Sequence, residues 1–133
     1  MSSTSSFNFS LILGALLGAS SILLGAYGAH GLNDIFLKLP RMETAYSKAV
    51  DYQMYHSIVL VVLGVGSFIP NINLPRYLCF SFAGSVSLFS FPIYFWVFGG
   101  PAWLINLTPL GGIGLVFSWF LLIRFAWINQ SKV

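Results

Sequence analysis

Apolar positions fall into four long runs separated by short polar breaks, and each run is long enough, or nearly so, to cross a bilayer as a helix. The first, 9–29, holds 21 residues without a charge, about 31 Å at the helical rise and enough to span the hydrocarbon. The second, 52–69, is 18 uncharged residues with a polar start. The third and fourth cover 77–98 and 109–127. Pro70, Asn71, Asn73 and Pro75 mark a tight turn, and Gly99, Gly100 and Pro101 end the third run. Thr108 followed by Pro109 reads as a helix cap and first helical position. The pattern predicts an all-α membrane protein: one domain, 1–133, with four transmembrane helices in an antiparallel bundle.

Within the first run, small residues recur at Gly14, Gly18, Ser21, Gly25 and Gly28. Spacings of four and three keep them on one helix face, and such a seam lets a second helix approach closely in lipid. Cys79, Ala83, Ser87 and Ser90 form a second small row in the third run, the expected complement of the first. Gly111, Gly114 and Ser118 put a third stripe on the fourth. The seam has two readings: packing within the chain, or dimerisation through Gly14 and Gly18. Pro92 removes one donor and predicts a kink near Leu88, with Ser87 or Ser90 satisfying freed backbone groups.

The first connection changes character. Gly31 is expected as a left-handed residue after the helix, with Asn33 and Asp34 as turn formers. From Arg41 onward, Met42, Ala45, Tyr46, Ala49, Gln53 and His56 share one face, while Arg41, Thr44, Lys48 and Asp51 share another. This predicts an amphipathic ramp along the membrane surface before the second helix. The serine-rich start, 1–10, is expected to be mobile or interfacial, and the first run is too long and lacks the basic flank of a cleaved presequence. Trp103, Trp119 and Trp127 are interface candidates.

Composition sharpens the class. Charged residues make up 7% and apolar residues 57%, against roughly 25% charged in a soluble domain. Six Lys and Arg, with no basic run, leave no footprint for nucleic acid. Lys38, Arg41 and Lys48 lie on one side of the membrane, and Arg76, Arg124 and Lys132 on the other. Three against three sets no orientation; the absence of acids on the terminal side leans toward cytoplasmic termini. The single Cys79 has no partner and reads as a packing residue.

Chemistry concentrates at one place. His30 and His56 are the only histidines, and a hairpin brings the end of the first run beside the start of the second. His30, Tyr52, Gln53 and His56 are therefore a candidate polar patch at the membrane face, serving as fold staple or ligand site. A metal site needs a third ligand, for which Asp34 or Asp51 is available. No nucleophile and base arrangement, phosphate loop or paired intramembrane carboxylate occurs, so neither an enzyme nor a cofactor is expected.

The segments Gly25-Ala26-Tyr27-Gly28-Ala29-His30-Gly31-Leu32, Ala49 with Tyr52-Gln53-Met54-Tyr55-His56, and Thr108-Pro109-Leu110-Gly111-Gly112 followed by Ser118-Trp119 carry a resemblance. The chain resembles a family of small four-span membrane proteins of unknown function, domain of unknown function 423, which includes bacterial YgdD and YwdK type proteins and eukaryotic transmembrane protein 256. The resemblance implies a four-span fold and an integral membrane location, in a bacterial cytoplasmic membrane or a eukaryotic organelle membrane. Phe89-Ser90-Phe91-Pro92-Ile93-Tyr94 departs from it, with a large residue in place of a small one and an added proline. The expected role is structural or partner-binding, with the lipid bilayer, a homo-oligomer or a membrane protein as partners. A small-molecule or ion transporter subunit is the alternative, distinguished by a polar cavity reaching the bilayer midplane.

Overall fold

Backbone groups in lipid must be satisfied within their own segment, so uncharged runs of about 20 residues become helices. In a computed structural model describing residues 3–130, with side chains from Phe9 to Gln130, the chain forms five α-helices. They are α1 Ser3–Gly31, α2 Asn33–Lys38, α3 Pro40–Gly66, α4 Arg76–Val97 and α5 Thr108–Asn129, with a 3₁₀ turn Ala102–Leu107 before α5. Four of them carry segments long and apolar enough to span a membrane: Phe9–Gly31, Pro40–Gly66, Arg76–Val97 and Ala102–Asn129. Most of the serine-rich start thus joins α1, while Met1, Ser2 and the tail 131–133 with Lys132 lie outside the described residues.

The ramp and the second span are one helix. Pro40 sits in the first turn of α3, where its missing N–H costs nothing, and the helix continues unbroken through Tyr52. At 27 residues it is about 40 Å long. The reason is packing: the face carrying Tyr46, Ala49, Gln53 and His56 is buried against α1 and α4 instead of lying on the membrane surface. The first connection is likewise a helix. Gly31 stays helical, Leu32 bends the chain at φ −111° and ψ 7°, and Asn33 and Asp34 open α2. Left-handed backbone occurs instead at Asn71 (φ 68°) and Gly99 (φ 92°), among the described residues. Gly31 is needed for space, since a Cβ there would lie 2.5 Å from the ring of Tyr27.

Helices α3 and α4 occupy the middle, with α1 flanking α3 and α5 flanking α4. The seam of α1 meets α3 and not the small row of α4. A Cβ at Gly14 would stand 2.9 Å from the carbonyl oxygen of Ser57, and one at Gly28 would stand 2.5 Å from the ring of Tyr46. Gly18 faces Ser57, Gly25 faces Val50, and the Ser21 hydroxyl donates to the Val50 carbonyl at 2.9 Å. Of the two readings of the seam, the structure displays packing within the chain, with α3 filling the face of Gly14 and Gly18. Gly64 contributes from the other side, with its Cβ position 3.0 Å from the Leu11 nitrogen.

Gly111 and Gly114 perform the same task between α4 and α5, abutting the backbone at Leu88 and Phe89 and the Ser85 hydroxyl. Helix α4 is continuous across Pro92, and Ser90 donates to the Ala49 carbonyl of α3 at 2.8 Å instead of to its own helix. Phe91 is 39% exposed, and its ring lies 6.2 Å from that of Tyr94 on the same helix. Thr108 does not cap α5; its hydroxyl is buried without a hydrogen-bond partner among the described residues. Two apolar clusters result. Leu17, Leu60, Leu78, Phe82, Val86 and Leu115 form one, and Leu32, Phe36, Tyr46, Ala49, Ile93 and Val97 the other.

Candidate functional site

Between these clusters the buried face of α3 carries a line of polar side chains. Gln53 is 1% exposed and near the helix centre. Its amide donates to the Leu17 carbonyl (2.8 Å) and the Ser20 hydroxyl (2.7 Å), and its carbonyl oxygen accepts from the Tyr94 hydroxyl at 2.8 Å. One side chain thereby joins α1, α3 and α4. A primary amide has two donors, and both are used here. In a medium without water such groups must find protein partners or carry a cost of several kcal/mol, on the order of a lost hydrogen bond or more.

One turn further along, His56 reaches α5. Nδ1 lies 2.7 Å from the Tyr52 carbonyl oxygen, and the Trp119 indole N–H donates to Nε2 across 3.3 Å. An indole only donates, so Nε2 must accept, and the network assigns the neutral tautomer with its proton on Nδ1. The ring is enclosed by Phe82 and Trp119, with centroids 6.0 and 6.2 Å away. Further bonds cross between helices above and below. Ser10 donates to the Leu60 carbonyl and Tyr46 to the Leu24 carbonyl, while Ser81 pairs with Ser118.

The four predicted patch residues separate. Gln53 and His56 are buried together on α3, and Tyr52, beside them, stacks on Phe89 with ring centroids 4.6 Å apart. His30 is exposed at the end of α1. It lies two residues beyond Gly28, which meets Tyr46, and Tyr46 precedes His56 by ten residues, about 15 Å along the axis. The histidines do not meet because α3 starts at Pro40, which places His56 deep within the bundle instead of at the membrane face. Trp119 also leaves its predicted interface position, since its N–H is held by His56. No group of three or more His, Cys, Asp or Glu able to hold a metal exists among the described residues.

Sequence reading missed Tyr94, Ser20, Ser90 and Trp119 as members of the line. Each lies within an apolar run, and in lipid a polar group there implies a partner on another helix. A cleft of about 210 Å³ lies at the Pro40 end of α3, lined by Gly25, Gly28, Phe36, Glu43, Tyr46 and Ser47, among others. Glu43, Tyr46 and Ser47 are the lining residues with polar side chains, and Glu43 is the only acidic one.

These features define a small multi-pass helical membrane protein whose buried polar side chains join its helices to one another. The family follows from comparison. The profile described as "Protein of unknown function (DUF423)" matches residues 24–112, more than half of the chain. A UPF0382 membrane protein of Staphylococcus aureus is 36% identical over 117 residues, covering 85% of this chain and 90% of its own length. A UPF0382 membrane protein of Staphylococcus haemolyticus is 37% identical over 116 residues with the same coverage. No solved structure matches the chain. The protein belongs to the DUF423 family, and the matched region holds Gln53, His56, Ser90 and Tyr94.

Proposed function

We propose that this is a non-enzymatic membrane protein that works by binding, in which the polar line along α3 staples the fold and the cleft beside Glu43 receives a cationic group. The observation that carries this reading is how the polar groups are used. Both donors of Gln53, both ring nitrogens of His56 and the hydroxyl of Tyr94 are engaged within the chain. Groups committed in this way are not available to line a path for an ion across the midplane. Glu43, by contrast, borders an open cleft at the end of the bundle, where a lipid headgroup amine or a basic side chain of a membrane neighbour can approach.

Native mass spectrometry of the gently extracted protein tests this, with Glu43→Gln and His56→Ala beside the parent. The reading expects a bound mass that Glu43→Gln loses and His56→Ala retains, with thermal stability lowered only by His56→Ala. A bound mass lost by His56→Ala at unchanged stability would make the histidine a ligand site and overturn the staple. Bare protein in all three would overturn docking at the cleft.

A further inference from the structure

The cleft at the Pro40 end of α3 is the head of a longer groove between α1 and α3. Glu43, Ser47 and Met54 fall at intervals of four and seven residues on one face of α3, and Ala29 and Ile22 fall seven apart on one face of α1. The two helices run antiparallel, with Gly28 abutting Tyr46 and Gly25 abutting Val50. At about 3.6 residues per turn, both rows are turned to the same side of the Gly25 and Val50 contact. Ile22 and Met54 follow one turn beyond the cleft, and Ile22 is 63% exposed. Past Asp51 the α3 side, 52–66, carries no charge, and neither does the α1 side, 9–29. The groove is therefore charged at its head and apolar along its length.

The charge at the head is negative. Glu43 is the only charged residue lining the cleft, and among the described residues it forms no ion pair. Ser47, one turn on, forms no side-chain hydrogen bond among them. Gly28 and Ala29 on the opposite wall belong to the last four residues of α1, whose carbonyls make up the negative end of that helix. A primary ammonium has three N–H donors, and a carboxylate, a hydroxyl and helix-end carbonyls are acceptors for them. A quaternary ammonium needs open aromatic faces instead. The cleft has none, since Phe36 is 7% exposed and Tyr46 3%, and the Tyr46 hydroxyl is engaged by the Leu24 carbonyl.

We infer that the occupant of this groove is a phospholipid with a primary amine in its headgroup, the amine held by Glu43 and Ser47 and an acyl chain lying along Ile22 and Met54. This rests on the reading of the cleft as a cation site and names the cation. A charged head continued by an apolar groove is the complement of an amphiphile, whereas a soluble amine or a basic side chain would use the head alone. Headgroups are selected by opposite charge beside spanning helices. An ethanolamine headgroup supplies both the charge and the N–H donors. A choline headgroup has the charge without the donors, and a glycerol headgroup brings only its phosphate anion toward Glu43.

Native mass spectrometry of the delipidated protein tests it, with dioleoyl phosphatidylethanolamine, phosphatidylcholine and phosphatidylglycerol titrated separately into the parent, Glu43→Gln and Ala29→Leu. Ala29 is an exposed residue of the cleft wall, so Ala29→Leu narrows the cleft and leaves the carboxylate in place. The parent is expected to bind the ethanolamine lipid at least tenfold more tightly than the other two, and each variant to weaken that binding at least tenfold at unchanged thermal stability. Ethanolamine lipid bound undiminished by Ala29→Leu would place it outside the cleft and overturn the inference. Choline lipid bound as tightly as ethanolamine lipid, and lost with Glu43→Gln, would overturn the primary amine while the cleft stands as a cation site. Equal binding of all three lipids, unmoved by Glu43→Gln, would overturn the lipid; a Glu43-dependent mass still carried by the gently extracted protein would then leave the cation site standing, and its absence would remove both.

Discussion

The two long faces of α3 solve the same problem in opposite ways. On the inner face, Gln53, His56 and Ser57 lie buried and reach partners within the chain, so each polar atom is neutral and spent. On the outer face, Lys48 is exposed and Asp51 half-buried, and neither forms an ion pair among the described residues. A neutral polar group in lipid is satisfied by one or two hydrogen bonds, whereas an ion needs a counter-ion. The inner face therefore closes the fold.

The comparison breaks most readily at the α1–α3 seam. Gly14→Leu places a branched side chain against the backbone of Ser57 and Val61, which cannot move without separating the two helices. Overpacking of that kind costs about 3 kcal/mol, and thermal unfolding in detergent followed by helical circular dichroism should show it as the largest loss among single variants. Gln53→Leu keeps the volume but removes all three bonds, including the acceptor of the Tyr94 hydroxyl. Its expected cost is about 2 kcal/mol at the modest value of each interhelical bond in a membrane. The outer face should respond least: Lys48→Met, measured on monomer in detergent, should shift stability by less than about 0.5 kcal/mol. A loss there as large as that of Gln53→Leu would show that Lys48 has a partner inside the chain.

Helix number and membrane character were plain from the four apolar runs, because lipid leaves a backbone no alternative to internal hydrogen bonding. The two faces of α3 were also legible, since Ala49, Gln53 and His56 fall on one side of a 3.6-residue repeat and Thr44, Lys48 and Asp51 on another. The start of α3 was not. Charges at Arg41, Glu43, Lys48 and Asp51 resemble those of a surface helix, and only burial of Tyr46 and Ala49 against α1 and α4 shows that the same helix continues into the bundle. That one difference moved His56 from the membrane face to the interior and separated it from His30.

What the chain determined alone was therefore every property that depends on local composition: four apolar helices, small residues in stripes, and charges confined largely to one connection. Partner choice between helices was decided by the tertiary structure. The seam of α1 pairs with α3 and not with the small row of α4, Trp119 is drawn from the interface to His56, and Ser90 bonds Ala49 instead of its own helix. Small-residue stripes are alike in shape, so a stripe announces a close contact without naming the helix that fills it. The polar partners supply that choice. A buried amide or imidazole is satisfied only when the particular donors and acceptors of its neighbours come within about 3 Å, and that condition exists only once the helices have assembled.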